Sequence, residues 1–311
     1  MKTPVAFIIF NRPDTTKRVF EAIRQAKPPK LLIIADGSRT DRPGESEKCA
    51  IARAVIDGVD WECEVLKNYS DVNLGCKIRV SSGLDWVFSE VEEAIILEDD
   101  CLPHPSFFPF CEELLEKYRN DSRIMQICGS NLLKNQLNID DSYYFSKYGP
   151  IWGWASWRRA WQYYDVDMKL WTEIRNEKFY LDFCLSKEEA SRRLDIYDRL
   201  KAKKIDTWDY QWGFAKMINS GLSIIPNLNL ISNIGFNENA THVTDKNSPL
   251  ANLPVYSVKF PLKYPSFVLR NIRADKSYSQ QAFPEKSIIS SSISKLRSFQ
   301  SIISGLKIDK R

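Results

Sequence analysis

Three acidic residues stand in a row at Glu98-Asp99-Asp100, directly after the apolar run Ala94-Ile95-Ile96-Leu97. Neighbouring carboxylates repel one another, so such a cluster asks for a cation. Mg²⁺ or Mn²⁺ answers best, because one or two carboxylates commonly hold these ions and substrate phosphates fill the remaining positions. The plainer reading is a solvated loop that caps the next helix. Two other polar residues end apolar runs. Asp36 follows Leu31-Leu32-Ile33-Ile34-Ala35 and suits hydrogen bonds from a base or ribose, or else a turn with Gly37. Arg12 follows Val5 to Phe10 and suits a phosphate, or is a surface arginine.

A second constellation is Trp208-Asp209-Tyr210-Gln211-Trp212. Asp206 and Asp209 flank a helix start, where N-cap bonds and the helix dipole favour carboxylates. The functional alternative makes Asp209 a general base, since an acid among aromatic rings can have its pKa tuned toward neutrality. Sugars present apolar C–H faces, so Trp152, Trp154 and Trp212 are candidate platforms for sugar or acceptor. Core packing is the competing role: Trp154, Trp157 and Trp161 fit one helical stripe. His104 and His242 are the only histidines, and neither sits in HExxH or beside a cysteine pair, which disfavours a zinc enzyme. His242 closes the polar stretch Asn237-Glu238-Asn239-Ala240-Thr241 and suits a phosphate or acceptor, or is a plain loop histidine. Walker A, GxGxxG and GxSxG patterns are absent, so metal and scattered groups must meet any phosphate.

The elements that must position these residues alternate. Strands are expected at Pro4 to Phe10, Leu31 to Ala35, Cys63 to Leu66, Ala94 to Leu97 and Ile124 to Cys128. Helical apolar spacing lies between them, at Val19-Ile23-Ala26, Glu45 to Ile56, Leu74 to Val91 and Phe107 to Tyr118. Short buried strands separated by helices predict a mostly parallel sheet flanked by helices. Ligands of such sheets bind at the carboxyl ends of the strands, where Arg12, Asp36 and the acidic triplet all fall. From residue 140 the chain turns aromatic, and helical patterns cover Glu177 to Ser220. The expected organisation is an α/β nucleotide-binding half over 1–130, an aromatic-rich helical acceptor and catalytic half over 131–255, and an extension over 256–311.

Composition narrows the classes. The 311 residues carry 44 Lys or Arg against 40 Asp or Glu, a net charge of +4. Residues 286–311 hold six Lys or Arg and one Asp, which leaves the remainder at −1. A near-neutral body argues against a broad nucleic-acid surface. The seven cysteines show no CxxC spacing and read as reduced core residues of a cytoplasmic protein. The tail combines Ile289, Ile293, Leu296, Phe299, Ile303 and Leu306 at helical spacing with Lys295, Arg297, Lys307 and Lys310. That pattern suits peripheral contact with the inner membrane face, or docking on the body or on a partner.

Taken in order, these segments resemble nucleotide-sugar-dependent glycosyltransferases of the GT-A fold, and within them the alpha-mannoside beta-1,2-N-acetylglucosaminyltransferase I family. Asn11-Arg12, Asp36, AIILEDD with Pro103 to Phe108, Pro150-Ile151-Trp152-Gly153-Trp154, WDYQW and Pro226 to His242 carry the resemblance, over roughly residues 4–245. It implies a metal on Asp100, donor contacts from Arg12, Asp36, Glu98, Asp99, Trp208 and His242, and Asp209 as the base. It also implies a UDP-sugar donor, a glycan or lipid-linked acceptor, and inverting transfer dependent on Mn²⁺ or Mg²⁺. Three departures stand out. Ser106 and Tyr210 replace family aspartates, and no segment resembles the anchor and stem of the eukaryotic members. Two other classes compete. A sugar nucleotidyltransferase should carry a glycine- and lysine-rich loop where Asn11-Arg12-Pro13-Asp14 stands. A non-catalytic carbohydrate-binding or membrane-interacting protein on a degenerate transferase scaffold would explain the aromatic residues and the basic tail.

Overall fold

A computed structural model describes residues 1–133, 137, 139–236 and 250–285. The first half alternates as the apolar runs dictate: β1 (Val5–Ile9), α1 (Pro13–Ala26), β2 (Lys30–Ala35), α2 (Glu45–Ala54), β3 (Glu64–Tyr69), α3 (Gly75–Glu90), β4 (Glu93–Glu98), β5 (Cys101–Pro103), α4 (Phe107–Lys117) and β6 (Ile124–Cys128). β7 (Tyr143–Ser146), β8 (Trp154–Trp157), α5 (Arg158–Trp161), α6 (Trp171–Asn176), α7 (Tyr180–Phe183), α8 (Lys187–Lys201), α9 (Asp209–Ile218), β9 (Leu222–Pro226), β10 (Ile231–Asn233) and α10 (Ile272–Ala282) follow.

Eight strands form one sheet in the order β3-β2-β1-β4-β8-β6-β9-β7, and β5 pairs with β10 apart from it. β8 runs antiparallel to both β4 and β6, and β7 antiparallel to β9, while the other pairs are parallel. The sheet is therefore mixed and mostly parallel, with helices on its faces. Its two halves are joined through β8, a strand where helical spacing was expected. Trp154 and Trp157, three residues apart, consequently leave the strand on opposite faces. Trp157 packs in the apolar layer with α1 and α4, and Trp154 in the layer with α3, α5 and α9. The same alternation splits β1, with Val5, Phe7 and Ile9 on one side and Ala6 and Ile8 on the other.

The chain from 250 to 271 runs as an irregular strap. Tyr256 donates its N–H to the Asn229 carbonyl at 2.9 Å, Ser142 to Lys263 at 2.9 Å and Asn271 to Phe145 at 2.7 Å. It thereby follows the outer edge of β7, whose backbone groups would otherwise be unpaired. His242 and the tail over 286–311 lie outside the described residues.

Candidate active site

A cleft of about 720 Å³ opens where β1, β2 and β4 end. Its lining includes Arg12, Asp36, Glu98, Asp99, Asp100, Trp152, Trp208 and Asp209. The acidic triplet and Asp209, more than a hundred positions apart in sequence, thus face one space.

The strand-end wall is set by register. β1 pairs with β4 so that Ile8 lies beside Glu98, and the residues just beyond both strands must meet. Asp99 accepts the Phe10 N–H at 3.2 Å and a guanidinium N–H of Arg12. A second N–H of Arg12 reaches Asp100 Oδ2 at 2.7 Å. Asp99 and Asp100 share the one guanidinium and Glu98 stands beside them without a bond to it, so the three carboxyl groups are not all matched by a cation. Burial pushes the Glu98 carboxyl above its ordinary range, with the Asp100 charge adding to it and Arg12 opposing. Burial raises Asp99 too, against the pull of Arg12. For Arg12, burial alone would lower the pKa, but the Asp99 and Asp100 charges outweigh it and hold the guanidinium charged. The chain after β10 seals this wall. Ile234 donates to the Asp100 carbonyl at 2.8 Å, and a Cβ at Gly235 would collide with Asp100 and Arg12, so only glycine fits there.

Among the described residues, no group of three His, Cys, Asp or Glu is arranged to cage a metal ion. An ion shared between one carboxylate and a diphosphate needs no cage. Asp100 fits that arrangement: it lines the cleft, offers hard oxygen, and among the described residues its Oδ1 meets only the Cys101 thiol, at 3.4 Å. Glu98 accepts no side-chain hydrogen bond among the described residues, which leaves a second oxygen donor nearby.

The opposite wall is the turn into α9. Asp209 is the first residue of that helix, where the dipole favours a carboxylate, and it accepts the Thr207 hydroxyl. Asp206 does not cap α9. It accepts the N–H groups of Cys76 and Lys77, both at 3.0 Å, and so satisfies orphan donors at the start of α3. The turn is pinned behind by indoles. Trp208 stacks on Trp154 at 5.7 Å, and Trp212 packs 5.3 Å from Trp161. Tyr164 bonds the Trp208 carbonyl at 3.2 Å.

Sugar platforms at Trp154 and Trp212 are therefore corrected: both are fully buried and neither lines the cleft. Their apolar area is taken up in fixing the turn that bears Asp209. Trp152 does line the cleft, because the β4–β8 register pairs Ile96 with Trp154 and so brings Trp152 level with Glu98. Trp208 lines the cleft and is almost wholly buried. Asp36 takes its turn role: it accepts Gly37 N–H and Leu74 N–H at 2.9 Å, and Gly75 N–H and the Asn73 amide at 3.1 Å. Burial still leaves its carboxyl raised.

Sequence reasoning passed over several lining residues. Arg39 lies over the Phe10 ring at 5.7 Å and pairs with Glu45 at 2.5 Å. That pairing, ahead of the opposing effect of burial, holds Glu45 down at about 2. Arg79 is buried, bonds the Asn68 side chain at 2.7 Å and, among the described residues, leaves Nε without a partner. Its place one turn and a half beyond Asn73-Leu74-Gly75 was the available signal. Exposed Arg192 lines the α9 side beside Tyr210, and nothing in the spacing of Arg192 marks it.

No protein-family model matches the chain, and no curated protein does. Solved structures with some likeness include a UDP-glucose pyrophosphorylase complexed with UDP-glucose, 13% identical, covering 47% of this chain and 62% of that one at a TM-score of 0.27. The chain thus spans under two thirds of that protein's length. An apo UDP-glucose pyrophosphorylase is 10% identical, covering 71% and 90% at a TM-score of 0.36. Mouse xyloside xylosyltransferase 1 is 11% identical, covering 70% and 81% at a TM-score of 0.32.

Proposed function

We propose that this chain is a nucleotide-sugar transferase, specifically an inverting glycosyltransferase that uses Mn²⁺ or Mg²⁺ and acts on a carbohydrate or lipid-linked acceptor. One observation carries the reading: Asp209 and the carboxylate surplus at the β4 end line the same cleft. The three solved structures named above are two UDP-glucose pyrophosphorylases and a xyloside xylosyltransferase, which agrees with the class without carrying it.

The roles follow from position. The donor diphosphate lies against Asp100 and Arg12, with the nucleoside toward Asp36, Asn73, Phe10 and Arg39. The divalent ion, when bound at Asp100, offsets charge developing on the leaving diphosphate. Arg12 is held charged by Asp99 and Asp100 and adds a fixed positive group at the same end. Asp209 takes the proton from an acceptor hydroxyl. The acceptor oxygen then bonds the anomeric carbon as the bond from that carbon to the diphosphate oxygen breaks on the far face, so configuration inverts. Trp152 bounds the space between the walls and keeps water from the reacting carbon.

Calorimetry with UDP tests the metal and donor roles together. Affinity should rise at least tenfold on adding Mn²⁺ and lose that gain in the Asp100→Ala variant. Equal affinity with Mn²⁺ and with chelator would remove the metal from the reading.

A further inference from the structure

The strap carries a surface that the cleft does not use. Leu253, Val258 and Leu262 point inward and are buried. Between and beyond them Phe260, Phe267, Leu269 and Ile272 face solvent, Phe267 and Leu269 at 69% and 65% exposure. Lys259, Lys263, Arg270, Arg273 and Lys276 are exposed along the same stretch. The acid among them, Asp275, is fully buried and accepts the Ser146 hydroxyl at 2.6 Å. The outward side is therefore apolar and positive. It is also held in place: Val258 donates to the Ser106 hydroxyl at 3.1 Å, and Lys263 and Ser142 bond each other twice, at 2.9 Å each way.

Charge along the chain sharpens the picture. Residues 250–285 hold five Lys or Arg against two acids, and 286–311 hold six against one, while residues 1–249 sum to −4. We propose that the strap and the first turn of α10, over 256–276, form a membrane-facing surface that lies on a bilayer rich in anionic lipid. Exposed Phe and Leu between Lys and Arg match the headgroup boundary, where apolar side chains enter the acyl edge and cations meet lipid phosphates. A second copy of the chain is a poor occupant, because an isologous contact would set two positive straps against each other. Among the described residues no helix is long and apolar enough to cross a membrane. The proposal stands apart from the transfer reading.

Vesicle co-sedimentation of the full chain tests it. Phosphatidylglycerol–phosphatidylcholine vesicles should pellet the protein, and pure phosphatidylcholine should not. Binding should weaken as salt rises. The doubly substituted chain Phe267→Ser with Leu269→Ser should lose about tenfold in partition, and Lys259→Gln with Lys263→Gln and Arg273→Gln at least as much. All five positions are exposed, so the melting midpoint should hold, and nucleotide affinity, read in parallel, should not change. No pelleting, equal pelleting on neutral vesicles, or wild-type pelleting by the Phe267/Leu269 variant would overturn the proposal; the last result would move the contact to 286–311.

Discussion

Two clusters of buried charge in this molecule have opposite design. In the first turn of α8, Glu189 is fully buried yet saturated. It accepts Arg193 Nε at 2.8 Å, the Tyr148 hydroxyl at 2.8 Å, the Ser279 hydroxyl at 2.9 Å and the Leu185 N–H at 2.9 Å. These donors come from α8 itself, the chain after β7, α10 and the turn before α8, so one carboxylate ties four segments together. At the β4 end, three carboxylates have one guanidinium between them and open on a cleft. The pKa directions record the difference. Burial would raise Glu189, but Arg193, the Leu185 N–H and Lys147 outweigh it and leave the group lowered. At Glu98 burial wins and the group is raised. A matched cluster holds the fold together, whereas a mismatched one is kept at a cost in stability.

The largest effect that bears on this contrast is on rate. Asp209→Asn should lower transfer kcat by about 10²–10⁴-fold with nucleotide affinity unchanged, since it removes the proton acceptor and no donor contact. Transfer at near wild-type rate would take the base role from Asp209 and leave the cleft with one functional wall. Next comes stability on the other side of the comparison. Glu189→Ala should cost about 3–5 kcal/mol in denaturant unfolding, because it strands the Arg193 charge and three further donors. A loss under about 1 kcal/mol would show that the hub is no more than a surface pair.

The smallest effect has a sign that separates the two clusters. A raised carboxyl binds its proton more tightly in the folded protein, so Glu98 detracts from stability as pH rises above the ordinary glutamate range. Without metal, Glu98→Gln should therefore raise Tm by about 1–3 °C at pH 8 and by less at pH 5. Glu189 has the opposite linkage: its contribution is full above the ordinary glutamate range and fades as pH falls through its lowered pKa. A Glu98→Gln gain that is the same at both pH values would mean the surplus charge at the β4 end is already neutralised.

The strand ends and the acidic triplet were legible in the sequence for a physical reason. Buried parallel strands are continuous apolar runs, and polar residues that close them must fall at one sheet edge. Asp209 was legible as a charged residue among indoles, although not for the cause first assigned. Trp154 and Trp212 are structural, and Asp206 serves α3 instead of α9. Helical spacing misread Trp154 and Trp157 because buried residues three apart fit a helix stripe and also fit a strand buried on both faces.

Composition and pattern alone determined that this chain makes a helix-flanked sheet with acids at its strand ends, because burial and backbone hydrogen bonding leave apolar runs of that length few alternatives. Only the tertiary structure decided which carboxylates are saturated and which are not. That depends on partners brought from distant segments: Arg12 across from Asp100, the 73–75 turn around Asp36, and α10 against Glu189. Local sequence cannot specify such meetings, since they are fixed by register and packing of the whole sheet.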